Sequence, residues 1–146
     1  MSDPVASELF VALCQAKARY CHALDGKQWD DWASLLAREC EFDWSEDTGG
    51  PPLRGREAVV AFVRDALEGA TTAHQVHLPL VLSADDTAAE VIFPLQDRLV
   101  WNPPRDGIAA FTGYGEYRER WIREQGAWRI ARLVLHRFHR LVERAP

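Results

Sequence analysis

No stretch of this chain approaches the roughly 18 consecutive apolar residues of a membrane-spanning helix, so no membrane span is expected. The opening Met-Ser-Asp-Pro-Val has no basic region leading into an apolar run, which argues against a secretory leader. Cysteine is scarce. Cys14, Cys21 and Cys40 are an odd number, with two on one predicted helix, which does not suggest a disulfide framework and makes reduced, cytoplasmic thiols the expectation. Positive charge is in deficit, with 17 Lys and Arg against 22 Asp and Glu and a formal charge of −5. A nucleic-acid partner, which would need a basic surface to displace counterions, is therefore not expected. The late arginines Arg129, Arg132, Arg137, Arg140 and Arg144 alternate along a predicted strand and read as a solvated edge. The chain also lacks a G-x-S-x-G elbow, a P-loop, a G-x-G-x-x-G turn, an internal repeat and an interdomain linker.

What remains is the composition of an ordinary globular protein, 47% apolar and 27% charged, long enough for one domain over residues 1–146 with one sizeable core. Six tryptophans are many for this length. They imply broad aromatic walls, in a core or around an apolar ligand.

Ser2-Asp3-Pro4 reads as a helix start, and Leu9, Leu13, Ala16, Tyr20 and Ala23 recur on one helical face. Asp25-Gly26 should end that helix, with the glycine taking positive φ. Trp29, Trp32, Ala33 and Leu36 mark a second short helix, with Asp30 and Asp31 in its first turn. Cys40, Phe42 and Trp44 alternate as a half-buried strand, and residues 47–52 read as a loop. Glu57 to Glu68 predicts a third helix with Val59, Phe62, Val63, Ala66 and Leu67 on its apolar side. Strands are then expected over 74–82, 88–101, 108–124 and 128–139, with a loop at 102–107. Helices followed by an antiparallel meander give an α+β layout in two layers.

Several polar residues sit on apolar rows. Ala89, Val91, Phe93, Leu95, Asp97, Leu99 and Trp101 share one strand face, and Asp97 is the only charge on it. Ala131, Leu133, Leu135 and Arg137 share another, which Arg129 begins. A buried carboxylate needs a cation or several donors, so Asp97 and Arg137 are expected to serve each other. An ion pair of this kind is structural or functional; periodicity does not choose. His74, at the predicted mouth of a strand, is a hydrogen-bonded core histidine or a catalytic one, and Tyr20 and Asp25 have equally plain readings as a core tyrosine and a turn residue. His74 and His77, like His136 and His139, are three apart. In a strand each pair falls on opposite faces, and Cys14 and Cys21 are two helical turns apart, so no ready metal site is expected. Gly113-Tyr114-Gly115 suggests a bulge or bend that would curl the sheet.

The strings Ala18-Arg19-Tyr20, Leu24-Asp25, Gln28-Trp29-Asp30-Asp31-Trp32, Leu53-Arg54-Gly55-Arg56-Glu57-Ala58-Val59, Thr72-Ala73-His74 and the closing run from Gly126 to Leu133 resemble SnoaL-like proteins of the nuclear transport factor 2-like superfamily. The resemblance covers nearly the whole chain. It implies a cone-shaped α+β barrel, with N-terminal helices on a strongly curved, mostly antiparallel sheet that encloses one pocket. The branch it most resembles holds scytalone dehydratase and bile-acid 7α-dehydratase. Tyr20, Asp25 and His74 match catalytic positions of that branch, and Asp97 and Arg137 match positions in its bile-acid members.

The implied activity is a dehydratase that needs no metal or organic cofactor and acts on an apolar small-molecule substrate, a hydroxylated carbonyl compound of polycyclic, steroid-like or polyketide type. His74 would be the base, Asp25 its orienting partner, and Tyr20 a donor to the carbonyl or the departing hydroxyl. Asp97 and Arg137 would bind substrate or keep the pocket's polar end ordered. The same scaffold also carries isomerases, polyketide cyclases and non-catalytic partner subunits, so the fold alone does not choose. A homo-oligomer, dimer or trimer, is expected to cover the open face of the sheet, where Trp121, Trp128 and Ile130 are placed.

Overall fold

The computed structural model describes residues 6–146, so the expected helix start at Ser2-Asp3-Pro4 lies outside the described residues. The elements are α1 (Ser7–Asp25), α2 (Trp29–Ser34), β1 (Leu36–Asp43), α3 (Ser45–Thr48), β2 (Leu53–Arg54), α4 (Arg56–Ala66), β3 (Ala70–Val76), β4 (Leu80–Ala84), β5 (Ala88–Arg105), β6 (Ile108–Glu124) and β7 (Ala127–Arg144). One curved sheet runs in the order β2-β1-β7-β6-β5-β3, with β4 also on β5. The sheet does not close on itself. All its pairings are antiparallel except β1 on β7, which brings the first strand alongside the last.

Helix α1 buries Leu13, Ala16, Tyr20 and Ala23 of the expected row, with Leu9 only partly covered, and Lys17 is buried with them. Its end differs from expectation. Gly26 stays near helical values at φ −78°, and Lys27 takes φ +55° instead. The Gln28 N–H reaches back to the Ala23 carbonyl at 2.9 Å and the Lys27 N–H to Leu24 at 3.1 Å, the paired bonds of a Schellman end with lysine at the left-handed position. The reversal thus falls one residue later than the glycine.

The strand expected over 74–82 is two strands. β3 and β4 lie in succession along β5, and between Val76↔Leu95 and Leu80↔Ile92 four steps on one side span three on the other. Pro79 has no N–H to give the ladder, and residues 77–79 fall outside both strands. Because β3 begins at Ala70, His74 lies well inside a strand and not at its mouth. The expected loop at 102–107 shrinks to the two-residue turn Asp106-Gly107, with φ +50° and +77°, as a tight right-twisting hairpin requires. The loop expected over 47–52 begins inside α3.

Two bulges in β7 set its inward row. Ala131 is the extra residue between Trp121↔Ile130 and Arg120↔Arg132, and Phe138 is the extra one between Tyr114↔His139 and Gly115↔Arg137. The row is therefore Trp128, Ile130, Leu133, Leu135 and Arg137, and Arg129 does not begin it. Arg137 itself is buried instead of lying on a solvated edge. Gly115 is where glycine is needed: a Cβ there would drive into the His136 carbonyl. Trp121, Trp128 and Ile130 are not on an open face. They are 0, 9 and 0% exposed, in the core with Leu13, Trp32, Leu36 and Phe42.

Candidate active site

Helices α1 and α4, the turn α3 and the inner faces of β3, β5, β6 and β7 surround a cavity of about 440 Å³. That is within the roughly 300–1,000 Å³ of small-molecule sites. Its walls mix aliphatic side chains with six aromatic ones: Tyr20, Trp44, Phe62, Trp101, Phe111 and Tyr117 line it, and Trp44 stacks on Phe62 at 5.3 Å. Four of the five residues singled out by sequence, Tyr20, His74, Asp97 and Arg137, line this cavity; Asp25 stands behind His74.

The last residue of α1 fixes the histidine. The Asp25 carboxylate accepts the His74 backbone N–H at 2.9 Å and the Thr72 hydroxyl at 2.9 Å, and lies 2.7 Å from His74 Nδ1. Lys27 Nζ donates to the Thr72 hydroxyl at 2.8 Å. A carboxylate can only accept, so Nδ1 carries a proton, and an imidazole in that tautomer keeps its lone pair on Nε2. Burial acts to raise the Asp25 pKa, but the hydrogen bonds from His74 and Thr72 outweigh it and hold the carboxyl below its ordinary value. The His74 side chain is only 7% exposed. His77 is exposed, just beyond the end of β3.

Tyr20 packs against Trp32 at 5.5 Å between centroids and against Tyr117 at 6.3 Å. Burial first, then the negative charge of Glu119, pushes the Tyr20 pKa well above its ordinary value, so it stays a phenol. The Trp32 indole N–H faces that hydroxyl without closing a well-formed hydrogen bond.

At the other end, Asp97 and Arg137 form a two-point pair, Nη1 to Oδ1 at 2.6 Å and Nη2 to Oδ2 at 2.9 Å. A second carboxylate, Asp47 of α3, accepts from Nε at 3.1 Å and from Nη2 at 3.0 Å. Burial alone would lower the Arg137 pKa; the two carboxylates reverse that and raise it, so the guanidinium is permanently charged. Glu46 of the same turn accepts the Arg137 backbone N–H and His136 Nδ1, which pins α3 onto β7. The pair needs Gly113 opposite Asp97, because a Cβ there would collide with the guanidinium and the carboxylate. Replacing Gly113 by alanine is expected to cost about 1–3 kcal/mol, the usual range for overpacking a filled site, readable as a shifted urea midpoint. An unchanged midpoint would mean that the pair moves aside freely.

Three features escape the sequence reading: Asp47, Tyr117, and a buried ion pair between Lys17 and Glu119. The last two carry a signal. Tyr117, Glu119 and Trp121 share one parity on β6, and Lys17 lies three residues before Tyr20 on α1, so each row holds a charge among apolar neighbours. Asp47 carries none, since its contacts come from a one-turn helix in a Gly-Pro-rich segment. Among the described residues no group of three or more His, Cys, Asp or Glu is placed to hold a metal, and no helix is long and apolar enough to cross a membrane.

Helices on a curved, unclosed, mostly antiparallel sheet with a cavity between them define the α+β cone. Residues 6–134 match the SnoaL-like domain, and the chain belongs to that family. Solved structures agree on the fold. The Kfla4162 protein of Kribbella flavida is 18% identical, with a TM-score of 0.85 over 94% of this chain and 95% of its own. A candidate scytalone dehydratase from Novosphingobium aromaticivorans is 18% identical, with a TM-score of 0.79 over 92% and 87%. Aln2 from a Streptomyces species is 26% identical, with a TM-score of 0.75 over 91% and 93%.

Proposed function

We propose that this protein is a cofactor-independent dehydratase acting on a hydroxylated carbonyl compound of polycyclic, steroid-like or polyketide type. The observation that carries the reading is the His74–Asp25 contact at the cavity wall, which leaves one imidazole nitrogen free on a ring whose orientation is set. Nε2 of His74 removes the proton next to the substrate carbonyl. Asp25 holds the tautomer and supports the imidazolium as it forms. Tyr20, kept protonated by burial, donates to the developing enolate oxygen or to the departing hydroxyl. Asp97 and Arg137 order the polar end of the cavity. Four of the five guanidinium N–H groups are already taken by Asp97 and Asp47, which favours this role over direct capture of a substrate carboxylate. The candidate scytalone dehydratase among the structural relatives fits the same chemistry.

The test is turnover of a panel of polycyclic β-hydroxy ketones, followed by mass spectrometry. Loss of one water supports dehydration. Turnover at unchanged mass would replace this reading with isomerisation or cyclisation. Binding without turnover, unaffected by substitution of His74, would place the protein among non-catalytic binders.

A further inference from the structure

Beneath the cavity floor lies a charged group that the proposed reaction does not use. Lys17, one of two lysines in the chain, is 0% exposed and ion-paired with Glu119, itself 2% exposed. The second Glu119 oxygen accepts the Trp121 indole N–H at 2.7 Å. The Lys17 ammonium sits on two aromatic faces at once, 3.7 Å from the Tyr20 ring centroid and 4.0 Å from that of Tyr117. Both phenols line the cavity.

A buried ion pair is poor evidence of a stability role, because apolar residues of similar volume usually serve as well or better. Its placement is the informative part. A cation on the face of a ring is attracted to the ring's electrons, and more strongly as the ring gains negative charge. A phenol donating to an oxyanion gains such charge. The ammonium on the two ring faces, in a site shielded from water, opposes the Glu119 charge that disfavours a negative Tyr20, and so acts as preorganised stabilisation of the charge that reaction builds.

We propose that Lys17 is a positioning residue of this site, holding two phenol donors, Tyr20 and Tyr117, over one buried ammonium so that together they stabilise an oxyanion in the cavity. Tyr117 is thereby a second donor to the reacting oxygen. The inference rests on the proposed reaction, in which an enolate oxygen develops, but its test does not depend on turnover.

The probe is 4-nitrophenol at a pH equal to its solution pKa, where absorbance reports how much of the bound ligand is ionised. The protein is expected to bind the phenolate about thirtyfold more tightly than the phenol, the scale of a desolvated cation–π contact. The charge-neutral pair Lys17→Met with Glu119→Gln keeps volume and an acceptor for Trp121, and should abolish that preference. Lys17→Leu with Glu119→Met serves if the first pair does not fold. Tyr117→Phe should reduce the preference several-fold. The comparisons are repeated with His74→Ala, so that proton uptake by the imidazole cannot mimic the effect. Loss of the preference in both backgrounds supports the proposal. A folded neutral pair that keeps it, a Tyr117→Phe variant that keeps it in full, or native protein with no preference overturns the proposal. Retained preference alongside unimpaired turnover in His74→Ala would instead sink the base assignment alone.

Discussion

His74→Ala is expected to lower turnover by roughly 10²–10⁴-fold, the usual contribution of a positioned general base, while the affinity for substrate changes little. The ring's Nδ1 is spent on Asp25, so only Nε2 can act as the base. Asp25→Asn is expected to approach the same loss, because the amide removes the charge that supports the imidazolium and can present a donor where Nδ1–H needs an acceptor. The same carboxylate links activity to acid stability. Burial works to raise its pKa, but donors from His74 and Thr72 hold the folded-state value below the unfolded one. Its contribution to stability is therefore complete above the unfolded carboxylate value, about 3.9, and is lost as pH falls through the lower folded value. Asp25→Asn should remove that acid-dependent component, leaving a flatter melting temperature below the ordinary carboxylate range. Steady-state rates and melting curves against pH check both statements. A variant lacking the imidazole that keeps full turnover would end the base assignment.

The α+β layout and the inward placing of Tyr20 and Asp97 are legible in the sequence for a shared reason, period, whereas the cone and the grouping of Asp25 and His74 with them rest on the family resemblance. The helical row through Tyr20 and the alternating row through Asp97 are local patterns, and burial follows them closely. What is not legible depends on irregularity or on distant pairing. The bulge at Ala131 shifts parity in mid-strand, which is why simple alternation puts Arg129 on the wrong face and Trp128 and Ile130 on an open surface. No turn residue announces that bulge. Pro79 foreshadows the split of β3 from β4, yet the apolar run through it hides the break. The parallel pairing of β1 with β7 joins residues about ninety positions apart, beyond the reach of any local pattern. Asp47 belongs to the same kind: its partner lies on the last strand, and only the β1–β7 pairing brings them together. Lys17 and Glu119 differ, because each interrupts an apolar row as plainly as Asp97 does.

Arg137→Ala is expected to cost about 3–5 kcal/mol of stability, the cost of leaving a buried charge without its partner. The guanidinium and the Asp97 carboxylate are 6% and 5% exposed, so water cannot replace the lost bonds at Asp97. Asp47, at 24%, recovers some hydration, and Arg140 lies 3.5 Å from it. The effect should therefore come mainly from Asp97. Two companion variants separate this from loss of packing against Phe111, 5.2 Å from the guanidinium carbon. Asp97→Asn leaves Arg137 bonded to Asp47 and gives it a neutral acceptor, so its cost should be nearer 1–3 kcal/mol. Arg137→Met with Asp97→Leu removes both charges and keeps apolar volume; it should be more stable than Arg137→Ala alone, although Asp47 then faces an apolar neighbour. Urea unfolding of the three variants measures these differences, and for a chain of this length a loss of that size lowers the melting temperature by about 10 °C. If Arg137→Ala costs less than about 1 kcal/mol, the pair is behaving as a solvated surface bridge. Arg137 would then be free to meet a substrate anion, and the assignment of Asp97 and Arg137 to ordering the cavity would fall with it.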